Sequence, residues 1–326
     1  MVVKHFIPGL VVILVVSQSI GTSRVRAEQP EVAFKSKPGN LEISVGGEPF
    51  ATYTYESSKI TRPFFAHVKT PAGVQATRNH PPVEGEDPMD HGEFHPGVWQ
   101  AFGDINGHDY WRLKAKVEHE MFVVRPRGGP GKGTFTVRNY YMSTDGKDRV
   151  CAELCKFTIS ASDRGTFIIY DSTFSSDHGD FTFGDQEEFG VAMRVTTPIT
   201  VEFGQGHMTN AEGLKDGDEV WAKQSDWIDY SGVVDGTYVG IALMPDPSNF
   251  RRSWYHARDY GFIAANPFGR KAMQAGEESA VTVKKGDKLH LGCGVYIYSD
   301  TSGKQPDMNA AYEEYLELIG AEAVAN

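Results

Sequence analysis

Short runs of alternating apolar and polar residues follow one another along almost the whole chain, separated by turn residues, with no helical pattern between them. Residues 41–45 alternate and stop at Gly46-Gly47. Residues 49–55 alternate again, with Phe50, Thr52 and Thr54 on one face and Ala51, Tyr53 and Tyr55 on the other. Further strand patterns cover 64–68, 117–124, 133–142, 150–160, 165–174, 191–203, 238–244, 280–283 and 289–298. Asp145-Gly146, Asp216-Gly217, Asp235-Gly236 and Gly286-Asp287 supply turns, and 35 glycines and 17 prolines fit a turn-rich chain. Strands without intervening helices exclude a parallel βαβ architecture. The pattern predicts an all-β fold: one large antiparallel β-sandwich over residues 28–326, with its core at about 40–300 and about 15 or more strands. One helix is expected at about 307–319. After Pro306 and Asp307, apolar residues recur at Met308, Ala311, Tyr312, Tyr315, Leu316 and Ile319, and Gly320 closes the stripe.

The first residues belong to a different physical regime. Lys4 and His5 precede a mostly apolar run over 6–20, and Val25-Arg26-Ala27 places small residues at the −3 and −1 positions of a cleavage site. This layout predicts a signal peptide over 1–27, cut after Ala27, and hence an exported protein, periplasmic or extracellular. The run is shorter than the roughly 20 residues of a membrane-spanning helix, and Pro8 and Gly9 interrupt it. No membrane insertion is expected after cleavage. A net charge of −11 argues against a nucleic-acid partner, which asks for a basic face. Cys151 and Cys155 lie on one predicted strand roughly 13 Å apart, too far to bridge each other. With Cys293 they are expected to be buried free thiols.

Three segments break the alternation and concentrate polar chemistry. In the first, Arg78, His80, Asp90, His91, Glu93 and His95 gather in a Pro- and Gly-rich stretch that runs on to Trp99, Asp104, Trp111 and Arg112. If 90–95 is extended, His91, Glu93 and His95 project to one side. The second, Asp185-Gln186-Glu187-Glu188, precedes a strand containing Arg194. The third holds Arg251, Arg252, Trp254, Tyr255, His256, Arg258, Asp259 and Tyr260, and leads to Asn266 and Arg270. Aromatics beside Arg, His, Asp and Asn suit a sugar pocket, where ring faces cover C–H surfaces and fixed polar groups meet hydroxyls. Phosphate-binding, nucleophile-elbow and paired Cys-x-x-Cys motifs are absent. A metal held by His91, Glu93 and His95 is conceivable by residue type, but no cofactor is expected on spacing alone.

Across these segments the chain resembles an exported bacterial family of unknown function that carries the label "methane oxygenase PmoA". The resemblance rests on Arg62-Pro-Phe-Phe-Ala-His67, on Asp90-His91 with His95-Pro-Gly-Val-Trp99, and on Ala101-Phe-Gly-Asp104-Ile-Asn-Gly107. It continues through Gln186-Glu-Glu188-Phe-Gly190, Asp226-Trp-Ile-Asp229-Tyr-Ser-Gly232, and His256-Ala-Arg-Asp-Tyr-Gly261 with Asn266-Pro-Phe-Gly-Arg270. A membrane methane monooxygenase is built from several spanning helices, which this chain lacks after its leader, so methane oxidation is rejected. What the resemblance implies instead is a supersandwich similar to galactose mutarotase, with a sugar on one sheet face.

Such a site would work by paired acid and base. Glu188, at the start of a strand, is the candidate base; His91 or His95 is the candidate acid, with His256 in reserve. Arg78, Trp99, Asp104, Arg194, Trp254, Arg258, Asp259 and Asn266 are the candidate substrate-binding residues. His91, His95, Glu188 and His256 are expected to line one pocket, with Arg78, Asp104 and Arg258 near its rim. The reaction stays open among hydrolase, lyase and epimerase chemistry. A non-catalytic glycan-binding protein is the alternative. An enzyme should show a buried carboxylate facing a histidine, and a binding module should show aromatics and arginines along an open groove.

Overall fold

Turn chemistry sets the first pairings. In the computed structural model, which describes residues 1–3 and 29–320, Gly46 and Gly47 have φ of 61° and 87°, and Asp235 and Gly236 have 49° and 80°. Two successive positive φ values make the tight turn whose twist matches antiparallel strands. The proposed leader, apart from its first three residues, lies outside the described residues.

The strands, in chain order, begin with β1 (Glu31–Lys37), β2 (Asn40–Val45), β3 (Glu48–Thr54), β4 (Phe64–Ala66) and β5 (Val98–Phe102). Next come β6 (Val117–Arg127), β7 (Gly129–Pro130), β8 (Lys132–Met142), β9 (Arg149–Ala161), β10 (Gly165–Ser175), β11 (Phe181–Phe183) and β12 (Phe189–Arg194). β13 (His207–Asn210), the short helix α1 (Asp216–Val220), β14 (Ile228–Val234), β15 (Thr237–Pro245), β16 (Trp254–Arg258) and β17 (Phe262–Asn266) follow. β18 (Val281–Val283), β19 (Lys288–Asp300) and α2 (Met308–Ile319) complete the order.

They form a nine-stranded sheet, β16-β17-β12-β5-β4-β3-β2-β1-β7, and an eight-stranded sheet, β13-β14-β15-β19-β10-β9-β8-β6, with β11 and β18 as a separate pair. The pairings are antiparallel, so the all-β antiparallel sandwich with a C-terminal helix is what the chain adopts. Between the sheets lies one apolar core. Val98, Val191, Met193, Tyr255 and Ile263 from the nine-stranded sheet meet Phe157, Ile168, Ile241, Leu243 and Val295 from the eight-stranded one. Cys151, Cys155 and Cys293 are buried free thiols.

The outer face of the eight-stranded sheet is covered by α2, which fills the predicted place. Asp307 caps it by accepting from the backbone N–H groups of Asn309 and Ala310, and Gly320 ends it at φ 72°. Met308, Ala311, Tyr315 and Leu316 pack against Phe167, Tyr296 and Tyr298. Beside this contact, Asp229 on β14 is fully buried. One of its carboxylate oxygens accepts from Ser231, Tyr298 and Gln305 at 2.6, 2.8 and 2.8 Å. Burial drives its pKa up to about 6, and the three hydrogen bonds limit the rise. A carboxyl raised in the folded state adds stability that is complete below its ordinary pKa near 4 and is lost as pH climbs through about 6. Asp229→Asn is therefore expected to gain about 2 kcal/mol on the parent between pH 4.5 and pH 7.5. Urea unfolding of both proteins at the two pH values checks this; an unchanged difference would exclude Asp229 as the source.

Candidate functional site

The outer face of the nine-stranded sheet is built by register. Phe64 on β4 lies opposite Trp99 on β5, Trp99 opposite Ala192 on β12, Ala192 opposite Ala264 on β17, and Ala264 opposite His256 on β16. The neighbouring row sets Arg194 and Arg258 on either side of Phe262. Residues directly opposite share a face, and side chains two apart on a strand do too. Trp99, Arg194, Trp254, His256, Arg258 and Asn266 thus project from one sheet surface. The small side chains Ala101, Ala192 and Ala264 leave room for a second layer, in which Trp111 and Leu113 pack on them.

That layer is anchored by two buried arginines. Arg62 donates to the carbonyls of Tyr110, Trp111 and Phe94, joining two loops. Arg78 is 1% exposed and donates to the carbonyls of Pro88, Asp90, His91 and His95. It organises the loop from within and is not a rim residue, because every one of these acceptors belongs to the loop backbone. Arg194 holds the same loop to the sheet through two 2.8 Å bonds to the Asp90 carboxylate, and its guanidinium lies 4.4 Å from the Tyr260 ring centroid. Burial alone would raise Asp90, but hydrogen bonds from Arg194 and His91 hold its pKa down to about 2.

Residues 90–95 are not extended. The His95 N–H donates to the His91 carbonyl across a turn, and His91 takes φ 48°. The two imidazoles consequently stack at 4.8 Å with an interplanar angle of 14°, while Glu93 points to solvent. Among the described residues no His, Cys, Asp and Glu group has metal-binding geometry. His95 is sandwiched further, 4.6 Å from Phe262 and 5.1 Å from Trp99. Burial, followed by the charge of Arg194, drives its pKa well below the ordinary value. His256 meets the edge of Phe262 from the other side at 5.1 Å. Burial, then the charges of Arg258 and Arg112, push it down to about 3. Both shifts favour the neutral imidazole over the imidazolium that the expected acid role needs.

At the solvent edge the polar groups pair. His256 Nε2 lies 3.5 Å from the Glu187 carboxylate, and Arg258 lies 3.3 Å from the same oxygen. Glu188 is ion-paired with Arg112, which also holds Asp109 at 3.3 Å. The carboxylate facing a histidine is therefore Glu187, not Glu188. Sequence reasoning missed Glu187, Arg112, Asp90 and Tyr260. Arg112 and Asp90 stood within the polar segments, and Glu187 and Glu188 are neighbours in the bend just before β12.

Several expected ligand contacts are structural instead. Trp99 is fully buried among His95, Trp111 and Phe262, so no sugar reaches its ring. Asp104 accepts from the Gly107 N–H and shapes a turn. Asp259 accepts from the Gly217 N–H at α1. Asn266 donates to the Gln186 and Glu187 carbonyls and accepts from Phe268 and Gly269. Trp254 is only 7% exposed. The expected single pocket also divides. Glu187, Glu188, Arg112, Arg258 and His256 form one cluster. His91 lies beyond Tyr260, on a separate hollow whose walls include neither His95, Glu188 nor His256.

A model of a family of unknown function, DUF6807, matches residues 40–313. The chain belongs to DUF6807. No curated protein matches it. Among solved structures, this DUF6807 chain is similar to a GH36 alpha-galactosidase of Geobacillus stearothermophilus in complex with stachyose: 8% identity, TM-score 0.39, 83% of this chain and 41% of that one. An alpha-galactosidase of Lactobacillus brevis gives 9% identity, TM-score 0.37, 86% and 39%. A galactose mutarotase related enzyme of Lactobacillus acidophilus gives 10% identity, TM-score 0.36, 84% and 100%. The DUF6807 chain spans about two fifths of the length of the two alpha-galactosidases.

Proposed function

We propose that this DUF6807 chain is an exported carbohydrate-active protein that binds a sugar or glycoside at the solvent edge of the nine-stranded sheet and acts on it by acid–base chemistry. The observation that carries the reading is the juxtaposition of His256 with Glu187 and Arg258, beside Arg112 and Glu188, on one sheet face. Donors and acceptors held side by side at a sheet edge suit the hydroxyls of a sugar. Glu187 takes a proton from a sugar hydroxyl as the neighbouring C–O bond breaks and returns it to the released oxygen, while the neutral His256 N–H donates a hydrogen bond without changing charge. Methane oxidation has no part in this reading.

A second reading, a non-catalytic glycan-binding protein, is favoured by one feature. Both Glu187 and Glu188 are answered by arginines and are partly exposed, which suits recognition as well as catalysis. A panel of sugars and glycosides, screened for turnover and binding, separates the two. With a responsive sugar, Glu187→Gln is expected to lower turnover by about 10²–10⁴-fold while binding changes little. If no member of the panel turns over, and Arg258→Ala weakens binding of a glycan that does bind, the protein recognises without reacting. Unchanged turnover in Glu187→Gln removes Glu187 from the chemistry.

A further inference from the structure

On the far side of Tyr260 from the His256 cluster lies a hollow of about 610 Å3 whose walls include Glu86, Met89, His91, Glu202, Phe203 and Tyr260. Two features set it apart. Met89 is 56% exposed and Phe203 50%, and they come from segments more than a hundred residues apart in the chain. Large apolar side chains left wet and brought together around an aromatic ring mark a contact surface. The second feature is charge. The walls contain Glu86, Asp87, Asp90 and Glu202 but no lysine or arginine.

Two of these carboxylates are already used: Asp90 by Arg194, and Asp87 by Asn79, Thr197 and the Val83 N–H. Glu86 and Glu202 make no side-chain hydrogen bond or ion pair among the described residues. The hollow therefore offers apolar ring surface and two uncommitted negative charges. A neutral sugar would use the first and waste the second. A sugar carrying a protonated amine uses both, because the ring's C–H face covers Phe203 beside Tyr260, whose ring already carries the Arg194 guanidinium, while the ammonium meets the Glu86 and Glu202 carboxylates.

We propose that this hollow is a subsite for an amine-bearing sugar residue of the glycan, with Phe203 and Tyr260 as the platform and Glu86 and Glu202 as the ammonium acceptors. The proposal rests on the carbohydrate reading above and adds to it the substrate class. Tyr260 links the two places: its ring stacks beside His91 at 6.0 Å and beside Phe262 at 6.2 Å, and Phe262 carries His256 on its edge. A glycan seated at Glu187 would extend across Tyr260 into the hollow.

The test is titration calorimetry with three tetrasaccharides: fully deacetylated chitotetraose, its fully N-acetylated counterpart, and cellotetraose. The deacetylated sugar is expected to bind more than about tenfold tighter than the other two, with an affinity that falls as salt rises. Glu86→Gln/Glu202→Gln and, separately, Phe203→Ala should each remove most of that preference. Both changes lie on exposed side chains, so folding, followed by circular dichroism, should be unaffected. Equal affinity for all three sugars, or a preference indifferent to Glu86, Glu202 and Phe203, overturns the subsite while leaving the carbohydrate reading standing. If no tetrasaccharide binds, the subsite falls. Benzyltrimethylammonium binding that depends on Phe203 and Glu202 would then show a cation site of another kind, while the carbohydrate reading is decided separately by the sugar panel at Glu187.

Discussion

Acidifying the protein from pH 7 to pH 4 is expected to remove most of its stability. The cause is a set of imidazoles folded into places where they must stay neutral. His256 is brought down to about 3 and His80 to about 4, chiefly by burial, and His95 is driven well below its ordinary value. A base whose folded pKa is depressed contributes stability that is complete above its unfolded value near 6.5 and is lost as pH falls toward the folded value. At pH 4 the loss from His256 alone is about 3 kcal/mol, and total stabilities of folded proteins are only about 5–15 kcal/mol. Asp229 and the fully buried Glu153, both raised by burial, work in the opposite direction, but they are two groups against three. Asp90, held at about 2, matters only at lower pH. Urea midpoints measured from pH 4.5 to 7.5 should therefore fall steeply on the acid side, and His256→Gln should flatten the curve. A midpoint independent of pH over that range would falsify the assignment.

Asp90→Ala is expected to cost about 3–5 kcal/mol, the usual penalty for leaving buried charge unanswered. Arg194 is fully buried and Arg78 nearly so, and Asp90 is the carboxylate both of them face. Removing it strands two cations beneath the loop that carries His91 and His95. Thermal melting should drop by roughly 10 °C for a chain of this size. Replacing the pair together, Asp90→Leu with Arg194→Met, should cost less than the sum of the single changes, since no charge is then left without its partner. A single Asp90→Ala variant that melts with the parent would show that solvent already screens the pair.

What was legible in the sequence follows from which faces are wet. β8 and β9 have alternating burial, and their period of two marked them clearly. The paired positive φ at Asp235 and Gly236 was announced by its Asp-Gly signature. β5, β16 and β17 escaped notice as strands. Nearly every residue in them is buried, because the sandwich core covers one face and the loop layer covers the other. With no wet side there is no alternation to see. The stretch expected as one strand over 191–203 stops at Arg194, and a single turn of 3-10 helix follows at Thr197–Ile199, where Pro198 cannot continue a ladder.

Site residues were visible as a texture of His, Arg and carboxylates, and six of them do share a sheet face. Their individual roles were not visible. Trp99 and Asn266 looked like ligand contacts because their types suit sugars, yet a buried tryptophan and a loop-clamping amide have the same one-letter appearance. Glu187 and Glu188 are adjacent, and their environments are set by the strand that starts at Phe189 and by Gly190. Gly190 holds φ 91°, and an added Cβ would sit 2.0 Å from the Ala265 carbonyl oxygen. Nothing local in the sequence says which of the two carboxylates turns toward His256.

The double cover over β5, β12, β16 and β17 also constrains how this surface can diversify. A side chain that springs from those strands is wedged between two packed layers, so changing it disturbs the sandwich before it alters recognition. Exposed positions on the overlying loops, such as Glu86, Met89 and His91, carry no such burden. Relatives that accept different ligands should therefore share the strand residues and differ in the loops, in the way that a fixed instrument takes interchangeable tips.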